Sequence, residues 1–303
     1  MFYIKFEFLT VLLGHYNHPK EKFIFNESEL QNILETEDFI TGEKIMNAIR
    51  NFGNAIYIKN DFILKDGIWR NVKISKPKRK DIAGKVVVVG HSDYPFNAIK
   101  YLKLIQLGAS RIVATNLEID FKKIQLLPLG LTNHTYEPPG LDIRDSSILR
   151  KIAASVRRPD LEDEMKIYLN FNPNTFPIVR NRVLELANNN HGIKIGDWKV
   201  SKLAQVEFLK EIRTSHMVIC PRGNGRDTHR FWETIYLGAV PIVVKSELPR
   251  RMLTDFNLPL VILDSWNELN DLTNISKLYA SLVAFNHESQ QIQLSKLVHS
   301  IKG

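Results

Sequence analysis

Apolar residues along this chain fall into two alternating patterns. Short unbroken β-branched runs predict strands covered on both faces, and stretches with apolar residues three and four apart predict helices between them. Residues 55–59 and 62–64 read as short strands, and 85–90, Lys-Val-Val-Val-Val-Gly, is the clearest strand of the first half. Residues 98–107 carry apolar side chains at 98, 99, 102, 104, 105 and 107, which predicts a helix ended by Gly108. Buried strands are expected at 111–115 and 125–130. From Asn133 to Asp145 the periodicity fails, and Pro138-Pro139-Gly140 punctuates the gap, with a helix over 146–156 beside it. A second series follows: strand 166–171, helix 177–187, strand 192–195, helix 203–213, strand 216–220, helix 228–237, strands 240–244 and 260–263, and a helical tail from Asn270.

Strands alternating with helices predict an α/β chain with parallel sheets. The 303 residues, at about 150 per domain, suggest two units. We expect two Rossmann-like domains facing a central cleft, residues 1–145 and 146–303, with the last helix crossing back onto the first. Ligands of open α/β sheets collect at the carboxyl ends of strands, so the informative residues are those just after strands.

Composition narrows the classes. With 44% hydrophobic and 24% charged residues, a disordered or collagen-like chain is excluded. Lys and Arg exceed Asp and Glu by 41 − 33 = 8, which favours an anionic partner without choosing among nucleic acid, phospholipid and phosphorylated small molecules. The basic run Pro77-Lys-Arg-Lys80 reads as a solvated loop rather than a nucleic-acid signal. The single Cys220 leaves no internal disulfide and no cysteine-built zinc site, and fits a reducing compartment. The opening residues 1–14 read as a strand: Lys5 and Glu7 interrupt the apolar run, and 8–13 falls far short of the roughly 20 residues a membrane span needs. The expectation is a cytoplasmic protein with no membrane span.

The segment from Cys220 to Val244 holds the strongest chemistry. A strand stops at Pro221, and Gly223 and Gly225 let backbone approach a ligand closely. Asp227 or Thr228 can cap the next helix, whose free N–H groups and dipole make an anion site. Arg222, Arg226 and Arg230 surround it with forked donors suited to phosphate oxygens. Asn224 and His229 belong to the same loop and first turn. Glu233 shares a helix face with Arg230, set back where a carboxylate can accept from a ribose diol; the alternative is a plain Arg–Glu surface pair. No Gly-x-x-x-x-Gly-Lys-Ser/Thr occurs, and the strand ending at Gly90 continues His91-Ser92-Asp93, not Gly-x-Gly-x-x-Gly, which argues against a P-loop enzyme and a dinucleotide dehydrogenase.

The run Cys-Pro-Arg-Gly-Asn-Gly-Arg-Asp-Thr-His-Arg-Phe-Trp-Glu, followed by Tyr-Leu-Gly-Ala-Val-Pro-Ile-Val, resembles the donor-binding signature of exostosin-like glycosyltransferases. The close match covers residues 216–245, with weaker likeness at 168–182, 127–131 and 90–93. The resemblance implies inverting, two-domain (GT-B type) enzymes that use a nucleotide sugar, a UDP-sugar such as UDP-xylose or another UDP-hexose or UDP-pentose, and a glycan acceptor. It implies diphosphate contacts for Arg222 and Arg230 and a ribose contact for Glu233. The anchor and stem of animal and plant members are not seen here.

Beside this resemblance, Asn172 and Thr175 lie in a loop after a strand, and Arg180 or Arg182 on the following helix can reach the same phosphates. The turn Ile195-Gly-Asp-Trp198 can hold the base. Inverting transfer needs a base for the acceptor hydroxyl, for which Asp93 is the first candidate and His91 the second. Asn116 and Glu118 follow the next strand and are expected to line the acceptor groove. No catalytic metal or other cofactor is expected: Glu118-x-Asp120 is the nearest approach to an Asp-x-Asp, and Glu162–Glu164 precedes a strand. The rival reading is a non-catalytic nucleic-acid- or phosphate-binding protein; the dispersed basic residues argue against nucleic acid.

Overall fold

The computed structural model describes residues 27–69, 71–119, 124–132, 146–199, 201–283 and 293–302. The expected opening strand, the connection from 133 to 145, and Asp120 lie outside them.

Two helices open the described chain, α1 (Glu27–Glu35) and α2 (Gly42–Ile49), the second capped by the Thr41 side chain on the Lys44 N–H. Then come β1 (Ala55–Lys59), the antiparallel hairpin β2 (Gly67–Trp69) and β3 (Val72–Ile74), and the short α3 (Arg79–Ile82). The β-branched run forms β4 (Val86–Gly90), buried along its whole length. Helix α4 (Ala98–Gln106), capped by Asn97 and followed by Gly108 at φ +88°, leads to β5 (Arg111–Ala114) and β6 (Ile124–Leu126). These strands make one parallel sheet in the order β1-β4-β5-β6.

The second series is α5 (Ser146–Ser155), β7 (Ile167–Leu169), α6 (Pro177–Asn188), β8 (Ile193–Ile195), α7 (Lys202–Arg213), β9 (Met217–Ile219), α8 (His229–Tyr236), β10 (Val240–Val244), α9 (Glu247–Phe256), β11 (Val261–Leu263), α10 (Leu272–Val283) and α11 (Leu294–Lys302). Its sheet is again wholly parallel, in the order β11-β10-β9-β7-β8. From β7 the chain moves out to β8, then returns to the other side of β7 with β9. The crevice at this reversal is where open α/β sheets receive ligands.

The expected α/β chain with parallel sheets is what the structure contains. Two strands differ from expectation. Residues 60–62 form a 3-10 turn, so 62–64 is not a strand: buried Asn60 donates to the Tyr94 carbonyl at 2.6 Å, and Asp61 accepts from Ser92 Oγ at 2.8 Å. The strand expected to Gly130 ends at Leu126, because Pro128 has no N–H and the next donors are drawn elsewhere, Leu129 N–H to Asp227 and Leu131 N–H to the Ile40 carbonyl.

Several bonds tie the two series together. The Ile40 N–H donates to the Tyr236 hydroxyl at 2.9 Å, and Arg251 on α9 reaches the Ile124 carbonyl at 2.9 Å. Helix α11 packs on α2, and Arg111 donates to the Ser300 carbonyl.

Candidate active site

A cleft of about 810 Å³ lies at the carboxyl ends of both sheets. Its walls are the segments that follow β1, β4, β5, β6, β7, β8 and β9, joined by residues of α7 and α8. Of the residues expected at a site, His91, Asp93, Asn172, Thr175, Arg180, Gly223, Asn224, Gly225, Asp227, Thr228, His229, Arg230 and Glu233 all line it.

The loops after β7 and β9 meet at the sheet's reversal point, and Arg180 of α6 spans them. Its Nε donates to the Arg222 carbonyl at 3.0 Å and its Nη1 to the Asn172 carbonyl at 2.9 Å. Helix α6 begins with Phe176 at φ +57°, a left-handed conformation that costs a bulky residue energy and turns the chain sharply into the cleft wall. Gly223 lies against this arrangement: a Cβ there would come within 3.1 Å of Arg180 Nη2.

Arg230, in the first turn of α8, lies over the Phe208 ring at 3.8 Å and pairs through Nε with Glu233 Oε2 at 3.3 Å. The two side chains are only 11% and 12% exposed, so this is a cleft-wall pair and not the surface pair that a three-residue spacing alone allows. Arg230 Nη1 is buried with no hydrogen-bond partner. Burial, then the nearby charge of Arg230, brings Arg180 down to about 10, which leaves it a cation at neutral pH. Two guanidinium groups are thus near enough to repel, with a carboxylate paired to Arg230 alone, and an anion in the cleft would supply the missing acceptor and charge.

Other polar atoms repeat the pattern. Among the described residues, five of the eight buried polar side-chain atoms without a partner belong to cleft residues: Thr115 Oγ1, Thr132 Oγ1, Asn170 Oδ1, Gln205 Oε1 and Arg230 Nη1. Orphaned polar groups are costly unless something bonds them, so their concentration marks a surface built for a polar ligand. Thr115, Thr132 and Gln205 belong to no motif, so sequence reasoning had no signal by which to find them. Tyr57, Lys59, Trp198 and Phe208 also line the cleft.

On the opposite wall, His91 follows β4 at φ +51°. Its Nδ1 contacts the Tyr57 hydroxyl, and its ring meets Trp69 at 5.4 Å between centroids. Burial raises Tyr57 above the ordinary phenol range, so this hydroxyl keeps its proton. Asp93 is exposed to the cleft; burial lowers the neighbouring Lys59, which the charge of Asp93 offsets only in part, and Lys59 pairs with Asp61.

Five expected residues lie elsewhere. Arg222 folds back on its own loop, donating to the Gly223 and Asn224 carbonyls at 3.2 and 3.0 Å and lying over Phe176 at 4.1 Å. Arg226 pairs with Glu118 at 3.1 Å, which joins the two halves beside the cleft. Arg182 faces Asn267 and Glu185 at 3.0 and 2.8 Å on the exposed side of α6, since two residues along a helix turn a side chain to another face. Asn116 is a buried clamp: at φ +53°, its Oδ1 accepts the Asp227 N–H at 2.7 Å and its Nδ2 donates to the Ser92 carbonyl at 2.8 Å.

Asp227 and Thr228 divide the work expected of either. Thr228 caps α8. Asp227 is buried, accepting from Leu129 N–H and from Trp232 Nε1, both at 2.8 Å, and burial pushes its carboxyl up to about 7 despite these donors. Trp232, 0% exposed, is core. No cluster of three or more metal-ligating side chains occurs among the described residues, and none of their helices is long and apolar enough to cross a membrane.

No protein of curated function matches the sequence. Solved structures of similar path include an alpha1,3-fucosyltransferase (13% identity, TM-score 0.44, covering 91% of this chain and 86% of that one). Others are an alpha1,3-fucosyltransferase with GDP-fucose (15%, 0.37, 75% and 79%) and one with GDP (11%, 0.40, 95% and 92%). Residues 197–294, which contain α7, α8 and the loop that feeds the cleft, match the family model of the RXYLT1 C-terminal domain, a glycosyltransferase-related family.

Proposed function

We propose that this protein is an inverting glycosyltransferase of GT-B type that moves a sugar from a nucleotide sugar, a UDP-sugar, to a glycan hydroxyl. The reading assigns donor binding to residues 146–303 and acceptor binding to residues 1–145. The observation that carries it is the buried, unpaired Nη1 of Arg230 beside the charged Arg180, at the reversal point of a parallel sheet. The match of residues 197–294 and the likeness of the Cys220–Val244 stretch to exostosin-like signatures support the same reading.

In this mechanism the diphosphate lies against Arg230, Arg180 and the loop from Gly223 to Thr228. Glu233 accepts from the ribose, and the turn from Asp197 to Lys199 flanks the base. Asp93 takes the proton of the acceptor hydroxyl as that oxygen bonds to the anomeric carbon, on the face opposite the donor diphosphate. The bond from the anomeric carbon to the diphosphate oxygen breaks, and the electron pair leaves with the nucleoside diphosphate. The guanidinium groups meet that growing charge in a site shielded from bulk water, where fixed charges act most strongly. His91 is the alternative base, with its ring fixed by Tyr57 and Trp69. A panel of UDP- and GDP-sugars, scored for slow release of the nucleoside diphosphate, tests the reading. Release from one UDP-sugar by the wild type and not by Arg230→Ala supports it, and release from none counts against it.

A further inference from the structure

Helix α4 has two apolar faces where a surface helix ordinarily has one. Leu104 faces the core with no exposure, yet Ile99, Leu102 and Ile105 are 64%, 62% and 42% exposed. They follow one another at three-residue intervals and so form one stripe along the outside of the helix. The helix has no acidic residue, and Lys103 adjoins the stripe. Lys100 turns away, donating to the Pro95 carbonyl at 2.9 Å. At the far end, Arg79 donates to the Gln106 carbonyl at 3.4 Å, which brings the exposed basic run Lys78, Arg79 and Lys80 up to the end of the stripe. Asp81, the acid of that turn, is engaged by the Lys78 N–H at 3.0 Å.

We infer that α4 and the turn of α3 form a membrane-binding face that docks the protein on anionic lipid. Three exposed aliphatic side chains in a row enter the acyl boundary, while a basic cluster at their end meets headgroup phosphates; this is the pattern of an interfacial helix. An exposed apolar row on a soluble surface marks an interaction site, and the local charge, together with the chain's net +8, selects a negative partner.

Co-sedimentation of the full chain with vesicles tests this, independently of any transferase activity. Vesicles of phosphatidylcholine containing about one third phosphatidylglycerol should bind the protein roughly tenfold or more better than phosphatidylcholine alone. The triple variant Ile99→Gln, Leu102→Gln, Ile105→Gln should lose most binding while keeping the wild-type melting temperature, because these side chains support no core. The variant Lys78→Gln, Arg79→Gln, Lys80→Gln should lose the preference for the anionic lipid. Wild-type protein that sediments with neither vesicle, or a triple variant that binds as wild type does, would overturn the inference. If the wild type ignores vesicles but forms a dimer that the triple variant disperses, the face belongs to a second copy of this chain and the inference fails.

Discussion

The Asp227 carboxylate accepts the backbone N–H of Leu129 at 2.8 Å, so a residue of the motif loop holds the segment after β6 in place across the floor of the cleft. Asn116 makes the reverse connection, accepting the Asp227 N–H. With Trp232 on the other carboxylate oxygen, one buried acid fixes the motif loop, α8 and the first sheet relative to one another.

Asp227→Asn leaves one acceptor oxygen where two N–H donors need one each. Orphaning a buried donor costs about 1–3 kcal/mol, which urea unfolding at neutral pH will measure.

The same carboxyl predicts the pH dependence of stability. Its folded value, about 7, lies above the ordinary 3.8 because burial disfavours the charge. Between those values the folded state holds a proton that the unfolded state has lost, so stability falls as pH rises from about 3.8 to about 7. Unfolding curves across this window should show the decline in wild type and its loss in Asp227→Asn.

Gly225→Ala places a Cβ 2.9 Å from Asn116 Oδ1, a contact that must be relieved by moving the clamp. The expected cost is about 1–3 kcal/mol. Asn116→Ala in the same chain removes the obstacle, so a double-mutant cycle should show the two losses adding to less than their sum.

Arg230 and Arg222 should separate in donor hydrolysis. Arg230→Ala removes a cleft guanidinium and should lower turnover by roughly 30- to 1,000-fold. Arg222→Ala removes only a brace on the loop, and should cost about tenfold or less, expressed mainly in KM.

Asp93→Asn keeps shape and hydrogen bonding but removes basicity. Transfer to a glycan acceptor should fall sharply while UDP affinity stays within about twofold. Near-normal transfer would shift the base to His91.

Both sheets were legible in the sequence because most of their strands are continuous apolar runs, β6 and β8 each being interrupted by one polar residue, and the helices between them keep a clear period. Helix α9 was not expected: Leu248, Met252 and Phe256 recur at four-residue intervals, but Pro249 and the charged residues between them thin the pattern, although proline is tolerated in a first turn. The hairpin β2–β3 is short and exposed, so it has little apolar alternation to show. At the cleft, residue type and a place after a strand or on the helix that follows it pointed to Arg180, Arg230, Glu233 and Asp93, all of which line it. Direction was another matter. Arg222 and Arg230 are both arginines of one motif, and only packing shows that the first turns onto Phe176 and the second onto Phe208 in the cleft. Asn116 and Asp227 read as ligand contacts because polar residues after strands usually face solvent; their mutual bond depends on how the two halves meet.

Calorimetric titration of UDP and GDP into the wild type and Arg230→Ala tests the donor site most directly. We expect UDP to bind the wild type, with Arg230→Ala binding at least about tenfold more weakly, a loss of about 1.4 kcal/mol or more. UDP binding that Arg230→Ala leaves unchanged, or no binding of either nucleotide by the wild type, would contradict a diphosphate site at Arg180 and Arg230.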